Sequence, residues 1–343
     1  MSIDEKYIHL CLKLAAKGNG KTLPNPLVGS VIVKNNEIIG KGYHKCFGGS
    51  HAEINAINDA LKKGHNLKGA VLYVNLEPCC HFGKTPPCTD EIIKQKIKKV
   101  VIGMKDPNPI MNGKGIKKLL QAGIKVNVGI REKDCKELNK IYIKNIKNKL
   151  PYVTLKIAQS VDGKISLINN ESKWITNSES RKYVKELRNN YDAILIGHNT
   201  ALIDNPSLLP SNLTRKIPFR IILSDIPEKL PITHKLFSDE FNDKTFILFS
   251  DINKKGYTKI LRTLYSMNIY SVLVEGGAFI FSKFMEYGLY DDIYIFQSNK
   301  IIGRGISPFE MLSIKNLKMS NKLKLENYKN IKDDLLIYYK KGN

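Results

Sequence analysis

The chain has 343 residues, 42% hydrophobic and 25% charged, an ordinary globular composition with room for two domains. Its net charge of +23 comes from lysines scattered along every segment, with no arginine-rich run interleaved with aromatics. That pattern argues against a dedicated nucleic-acid surface, although the positive field would still favour an anionic substrate.

No apolar run reaches the roughly 18–20 residues of a membrane span, so no membrane contact is expected. The N-terminal MSIDEKYIHLCLKLAAKGNG has early acids and helical spacing, unlike a signal peptide, and predicts a cytoplasmic protein. Residues 4–18 read as a helix closed by Gly18 and Gly20. VGSVIVKNNEIIGKGYH alternates around Asn35-Asn36 and reads as a hairpin. From Ala52 to Lys63 apolar residues recur at three and four, and Gly64 ends that helix. VLYVNLEP reads as a strand, TDEIIKQKIKK as a helix with Thr89 as N-cap, VVIGM as a strand, GKGIKKLLQAG as a helix and KVNVGI as a strand. Residues 132–150 are polar and helical in pattern, and Pro151 closes them, which divides the chain into domains at 1–146 and 150–343.

A second α/β run follows. VTLKIAQSVDGKI reads as a strand, SESRKYVKELRNN as a helix, and DAILIG, FRIILSD and TFILFS as strands. YTKILRTLYSMN is a helix, SVLVEGGAFIFSKFMEYG a strand, glycine turn and helix, and IYIFQ and DLLIYY are closing strands. Strands alternating with helices throughout predict two α/β domains. GNGKT at 18–22 imitates the end of a phosphate-binding loop, but Ala15 stands where its first glycine belongs and no strand precedes it.

Six cysteines over this length are too sparse for a disulfide scaffold, and a local cluster in a cytosolic chain points to metal or catalysis. His51-Ala52-Glu53 opens a helical pattern, and Pro78-Cys79 follows a strand. A zinc deaminase needs three protein ligands and an open position for a water whose pKa the metal lowers to about 7. It also needs a carboxylate outside the ligand set to carry protons to the departing amine. H-x-E followed by P-C-x-x-C is that signature. Here the thiol after Cys79 is either Cys80 or Cys88. Adjacent cysteines chelate one ion poorly, whereas Cys88 precedes a helix whose amino end favours a thiolate.

Three stretches together resemble the deaminase half of the bacterial bifunctional riboflavin-biosynthesis deaminase–reductase family. They are Asn25-Pro26-Leu27-Val28-Gly29, His51-Ala52-Glu53 and the long loop from Pro78-Cys79-Cys80-His81 to Thr85-Pro86-Pro87-Cys88. The resemblance implies a cytidine-deaminase-like α/β/α domain in which His51, Cys79 and Cys88 bind one Zn2+, Glu53 shuttles protons and Cys80 is a bystander. A substrate bearing a ribose phosphate needs cations near the site, which Lys84 and His81 can supply, with His44 from the preceding hairpin unless it only ends a strand. Asn25 can hydrogen-bond a base or sugar edge or stabilise the turn before Pro26.

No G-x-G-x-x-G follows a strand in the second half, so a Rossmann domain is not expected. In VEGGAFIFSK a strand delivers Glu275 and a glycine pair opens a helix, whose first N–H groups suit a phosphate. LKIAQSVDGKI, ESKWIT, the Arg188 helix, Thr200 to Pro206 and VEGG resemble the reductase half of the same family, which has a dihydrofolate-reductase-like fold and uses NADPH. The resemblance places Ala158, Trp174, Thr200, Asp204, Gly277, Ala278, Phe279, Ile280, Phe281, Ser282 and Lys283 around the cofactor. It places Ser172, Arg188, Leu208 and Glu275 around the substrate. One departure stands out: where the family places an arginine for the substrate phosphate, this chain has Ser211, and the nearest arginine is Arg215.

The implied activity is zinc-dependent hydrolytic deamination of 2,5-diamino-6-ribosylamino-4(3H)-pyrimidinone 5′-phosphate. NADPH reduction of 5-amino-6-(5-phosphoribosylamino)uracil to the ribityl product would follow. A polynucleotide deaminase and a closed, purely structural zinc site are the rival readings; Glu53 argues against the second, since a structural site does not need it. The sequence does not specify an oligomeric state and leaves a homo-oligomer open.

Overall fold

The structure is a computed structural model that describes all residues except 83–85, 215, 250–252 and 343. The chain forms two compact units, 1–149 and 150–343. No helix among the described residues is long and apolar enough to cross a membrane.

The first unit runs α1 (Ile3–Ala15), β1 (Gly29–Lys34), β2 (Glu37–Tyr43), α2 (Ala52–Lys62), β3 (Val71–Leu76), α3 (Cys88–Lys94), β4 (Lys99–Met104), α4 (Lys114–Gln121), β5 (Lys125–Val128), α5 (Glu132–Leu138) and α6 (Lys140–Asn148). Its sheet has the order β2-β1-β3-β4-β5; β1 is antiparallel to β2 and β3, and β3, β4 and β5 are parallel. Strands β1, β3 and β4 are buried along nearly their whole length, which requires helices on both faces. The predicted hairpin turns at Asn35 and Asn36, both at positive φ (49° and 63°), the pair of left-handed residues a two-residue hairpin needs. Ser2 caps α1 in a reciprocal box with Glu5.

Two expectations are corrected here. Thr89 is not the N-cap of α3; the helix begins one residue earlier, and Pro87 occupies the cap. The same helix stops at Lys94 instead of continuing to Lys99, because Lys96 turns left-handed (φ 54°) and the buried Ile97 folds back onto Ile92.

The second unit runs β6 (Tyr152–Gln159), β7 (Ser166–Leu167), α7 (Ser178–Arg188), β8 (Ala193–Gly197), α8 (His198–Asp204), β9 (Phe219–Leu223), α9 (Lys235–Ser238), β10 (Thr245–Leu248), α10 (Lys254–Ser266), β11 (Ser271–Gly276), α11 (Ala278–Glu286), β12 (Asp292–Gln297), β13 (Gly305–Ile306), β14 (Leu323–Ile331) and β15 (Asp334–Lys341). Its main sheet has the order β10-β9-β8-β11-β6-β12-β15-β14; β10 through β12 are parallel, and β15 and β14 close one side antiparallel. Predicted strand 153–165 ends at Gln159, where Ser160 and Asp162 organise a turn. Strand β14 escapes the sequence reading because it is an exposed edge strand with no buried face to leave an alternating pattern.

Arg220 on β9 is fully buried, and its guanidinium spans Asp239 at 2.6 and 2.8 Å and the carbonyls of Ser207, Leu236 and Phe241. These hydrogen bonds and the Arg220 charge outweigh burial and hold the Asp239 carboxyl below the ordinary aspartate range. A depressed carboxyl stabilises the fold above its unfolded value and loses that contribution as pH falls through its folded value, so the pair acts fully above roughly pH 5. Asp239→Ala leaves the buried guanidinium uncompensated and is expected to cost about 3 kcal/mol at neutral pH, read from the urea midpoint, and progressively less as the pH falls below the ordinary aspartate range.

Candidate active sites of the two units

In the first unit the candidate ligands come from two helix starts and one strand end. Gly40 and Gly42 on β2 approach α2 so closely that a Cβ on either would collide with backbone of Ala56 or Ala52. That contact seats the first turn of α2 on the sheet. His51 is the N-cap residue, yet its side chain makes no capping bond, which leaves the imidazole for other partners. Its Nδ1 stands 3.2 Å from Cys88 Sγ and 3.4 Å from Cys79 Sγ. Cys88 is the first residue of α3, and its backbone N–H donates to Cys79 Sγ at 3.2 Å. One donor atom from each of His51, Cys79 and Cys88 lies within 4.8 Å of the others, a group able to hold a metal ion. Cys80 is outside this cluster, and all six cysteines are free thiols.

The two thiols differ in proton affinity. A hydrogen bond from Cys88 pulls Cys79 far down, to about 4, with His51 and the Cys88 N–H assisting. The same bond, together with burial, pushes Cys88 well up. Hydrogen bonding to Cys79 in turn raises His51 against the opposing effect of burial. Glu53, in the first turn of α2, is 3% exposed; burial and then the Cys79 charge push its carboxyl up to about 7. One imidazole nitrogen and two sulfurs suit zinc, and three ligands leave a fourth position for water, with the buried Glu53 beside the set.

His44 and Asn25 join this group. The His44 ring lies edge-on to His51 with centroids 5.6 Å apart. Its Nδ1 is 3.1 Å from the Ser50 carbonyl, which can only accept, so Nδ1 carries the proton. Burial lowers its pKa and keeps the ring neutral, so Nε2 accepts from Asn25 Nδ2 at 3.1 Å. The Asn25 loop is held from below by two residues the sequence reading missed. Asn139 bonds both the N–H and the carbonyl of Leu27, and Asn75 bonds the Leu27 carbonyl and the Gly29 N–H. Asn139 lies 112 residues from Leu27, and no local pattern reveals such a contact. His81 is exposed and rests against Met111 Sδ at 3.0 Å, while Lys84 lies outside the described residues.

In the second unit, Glu275 at the end of β11 takes a two-pronged ion pair from Arg188, at 2.6 and 2.9 Å, and Arg188 also donates to the Leu209 carbonyl. Burial alone would raise the Glu275 carboxyl; the Arg188 charge and hydrogen bonds outweigh it and hold it low. Lys156, 3.9 Å from Glu275, is pushed down by burial. Sequence reading passed over this lysine, although a charged residue inside the buried run LKIA was its signal. The arginine fork is thus committed to Glu275, and Arg215, the alternative cation near Ser211, lies outside the described residues. Ser211 itself bonds Lys185 and Asn189.

Gly276 and Gly277 pack against Thr200: a Cβ on Gly276 would stand 2.8 Å from the threonine methyl, and Gly277 has φ 92°. They open α11, whose first N–H groups lack partners within the helix. Ser172 donates to Asp204 at 2.8 Å, and the exposed Trp174 ring carries the Arg181 guanidinium at 4.4 Å. Ala158 is half-buried near the end of β6. Five expected contacts are redirected. The side chains of Ile280 and Phe281 enter the hydrophobic core, the Phe281 N–H is spent on Gly277, and the buried Ser282 hydroxyl accepts from Met311. Leu208, at φ 54°, also turns its side chain into the core, so only its backbone can face a ligand. Lys283 pairs with Glu286.

Residues 1–104 match the family model of the cytidine and deoxycytidylate deaminase zinc-binding region, and residues 151–337 match that of the RibD C-terminal domain. The riboflavin biosynthesis protein RibD of Aquifex aeolicus is 41% identical, over 99% of both chains, and that of Actinobacillus pleuropneumoniae 38%, over 98% and 95%. The chain belongs to the RibD family. A solved RibD-type structure, the diaminohydroxyphosphoribosylaminopyrimidine deaminase/5-amino-6-(5-phosphoribosylamino)uracil reductase of Thermotoga maritima, superimposes with a TM-score of 0.88 at 38% identity over 99% of both chains. As a RibD-family member the chain is a bifunctional deaminase and reductase of riboflavin biosynthesis, with a zinc-binding deaminase domain ahead of a reductase domain.

The choice between the two candidate thiols is open to measurement. Cys88→Ser is expected to weaken zinc binding by more than the roughly 10–100-fold loss typical of residues outside the ligand shell, and Cys80→Ser to leave zinc content unchanged. Zinc per chain after dialysis against a graded chelator checks both.

Proposed function

We propose that the first domain removes the 2-amino group of 2,5-diamino-6-ribosylamino-4(3H)-pyrimidinone 5′-phosphate, with one zinc held by His51, Cys79 and Cys88. The observation that carries this reading is a buried carboxylate, Glu53, set against a three-residue nitrogen–sulfur cluster. Those three residues would hold the zinc, which would lower the pKa of a water to about 7. Glu53 would carry a proton from the attacking water to the departing amine, so that ammonia leaves and a ring carbonyl remains. Asn25, oriented by neutral His44, offers its remaining amide groups to the ring edge of the substrate. Lys84 would supply positive charge for the phosphate, with the exposed His81 imidazole as a further hydrogen-bonding partner.

The second domain would then reduce the ribosyl group of 5-amino-6-(5-phosphoribosylamino)uracil to ribityl. NADPH supplies the hydride; the protein supplies binding and orientation. Support comes from the tight Gly276-Gly277 turn under Thr200 and the free N–H groups of α11, which fit a phosphate of a dinucleotide. Gly277, Ala278 and Phe279 would meet it through backbone, with Trp174, Thr200, Asp204 and Ala158 lining the nicotinamide end. Ser172, the Leu208 backbone and Glu275, oriented by Arg188, would meet the sugar hydroxyls of the substrate. These groups lie toward the carboxyl ends of the central parallel strands, where open α/β sheets place their ligands.

Glu53→Gln keeps the shape and removes the proton carrier. The variant is expected to retain zinc and lose ammonia release by on the order of 10²–10⁴-fold in kcat. Full ammonia release from a zinc-loaded Glu53→Gln chain would contradict the mechanism.

A further inference from the structure

Glu77 lies two residues ahead of Cys79 and belongs to neither the ligand set nor the proton path. Its side chain is 3% exposed, and among the described residues no cation pairs with it. Its charge is instead satisfied by backbone. Oε2 accepts from the N–H groups of Asp106 and Gly113 at 3.1 and 2.9 Å, and Oε1 from those of Gly115 and Ile116 at 3.0 and 3.3 Å. Gly115 and Ile116 are the second and third residues of α4, whose cap, Gly113, has no side chain to offer. Glu77 therefore caps α4 from another segment and binds the loop 105–113 at the same time.

Both partners lead back to the site. Gly115 is pressed so closely on Glu77-Pro78 that a Cβ there would collide with the Pro78 carbonyl oxygen, immediately before Cys79. Helix α4 also reaches α3, the helix that opens on Cys88, through an ion pair of Lys118 with Asp90. The loop 105–113 carries the buried Met111, whose sulfur meets His81 in the segment between the two cysteines. One carboxylate thus joins the backbone before Cys79, the helix behind Cys88 and the support of His81.

We propose that Glu77 is a positioning residue of the deaminase: it sets the spacing of the two thiols through α4 and the loop 105–113, and does not itself touch substrate. The proposal rests on the reading of Cys79 and Cys88 as metal ligands. Its energetic basis is the full loading of a buried carboxylate by four N–H groups, which a glutamine cannot reproduce. The glutamine amide would turn its own N–H groups toward two of those donors, and two bonds would be lost.

The test uses the full-length chain loaded with Co2+, whose thiolate absorption bands report ligand geometry. The wild type, Glu77→Gln and Gly115→Ala are compared; far-UV circular dichroism and thermal melting report folding of the first unit, and reductase turnover on the deaminated substrate reports that the second unit is intact. Expected for Glu77→Gln are one metal per chain, displaced thiolate bands, unchanged reductase turnover and a fall in deaminase kcat on the order of 10–100-fold with KM little changed. Gly115→Ala, which pushes α4 off the Pro78 carbonyl with Glu77 intact, is expected to displace the same bands. Unchanged bands and kcat in Glu77→Gln would overturn the proposal. So would loss of metal binding together with unfolding of the first unit, which would make Glu77 a residue of general stability. Absence of thiolate bands in the wild type would instead refute the ligand reading beneath it.

Discussion

Two sulfurs and an imidazole nitrogen within 4.8 Å can be maintained only if separate chain segments are delivered to one point by rigid elements. In this protein the delivery is made by backbone packing. Glycines on β2 let α2 lie against the sheet, so His51 and Glu53 arrive together on its first turn. Strand β3 ends at Leu76, and α3 opens on Cys88, whose own N–H closes the distance to Cys79. The amino ends of both helices point at the cluster, and their dipoles favour the thiolates and the carboxylate collected there. Burial of Glu53 follows from the same arrangement, since its place on α2 turns it inward beside the sulfurs and away from solvent.

The second unit meets a different constraint with similar means. A buried carboxylate, Glu275, stands at the end of a core strand and is tolerable only because the Arg188 fork takes both its oxygens. Immediately beyond, the chain must pass Thr200 with no side chain at Gly276 and a left-handed residue at Gly277, and then start a helix. Charge and unpaired N–H groups are thereby brought within a few residues of one another on one short stretch, VEGGA. The commitment of Arg188 to Glu275 also means that this arginine orients more than it attracts.

Much of this was legible in the sequence, because helix and strand periods, the Asn35-Asn36 turn and the H-x-E and P-C signals are local. His51, Glu53, Cys79 and Cys88 belong to motifs of that kind, and the structure brings them together. What escaped notice was non-local or unpatterned. Asn139 reaches Leu27 across 112 residues, and Lys156 sits beside Glu275 through sheet pairing of β6 with β11. Strand β14 has no buried face to betray it. The run Gly277 to Lys283 could be read as one cofactor-facing segment only until helix geometry divided it, since Phe281 and Ser282 lie on the core side of α11.

The central claim is that one chain carries out deamination and then reduction on the same phosphorylated pyrimidine. It is tested most directly by following NADPH oxidation when the zinc-loaded protein is given the diaminopyrimidinone ribotide alone. NADPH should be consumed, after or together with ammonia release and mole for mole with it, because reduction requires the deaminated product. Ammonia release without NADPH oxidation would contradict the reductase half of the account, and the absence of both would contradict the whole.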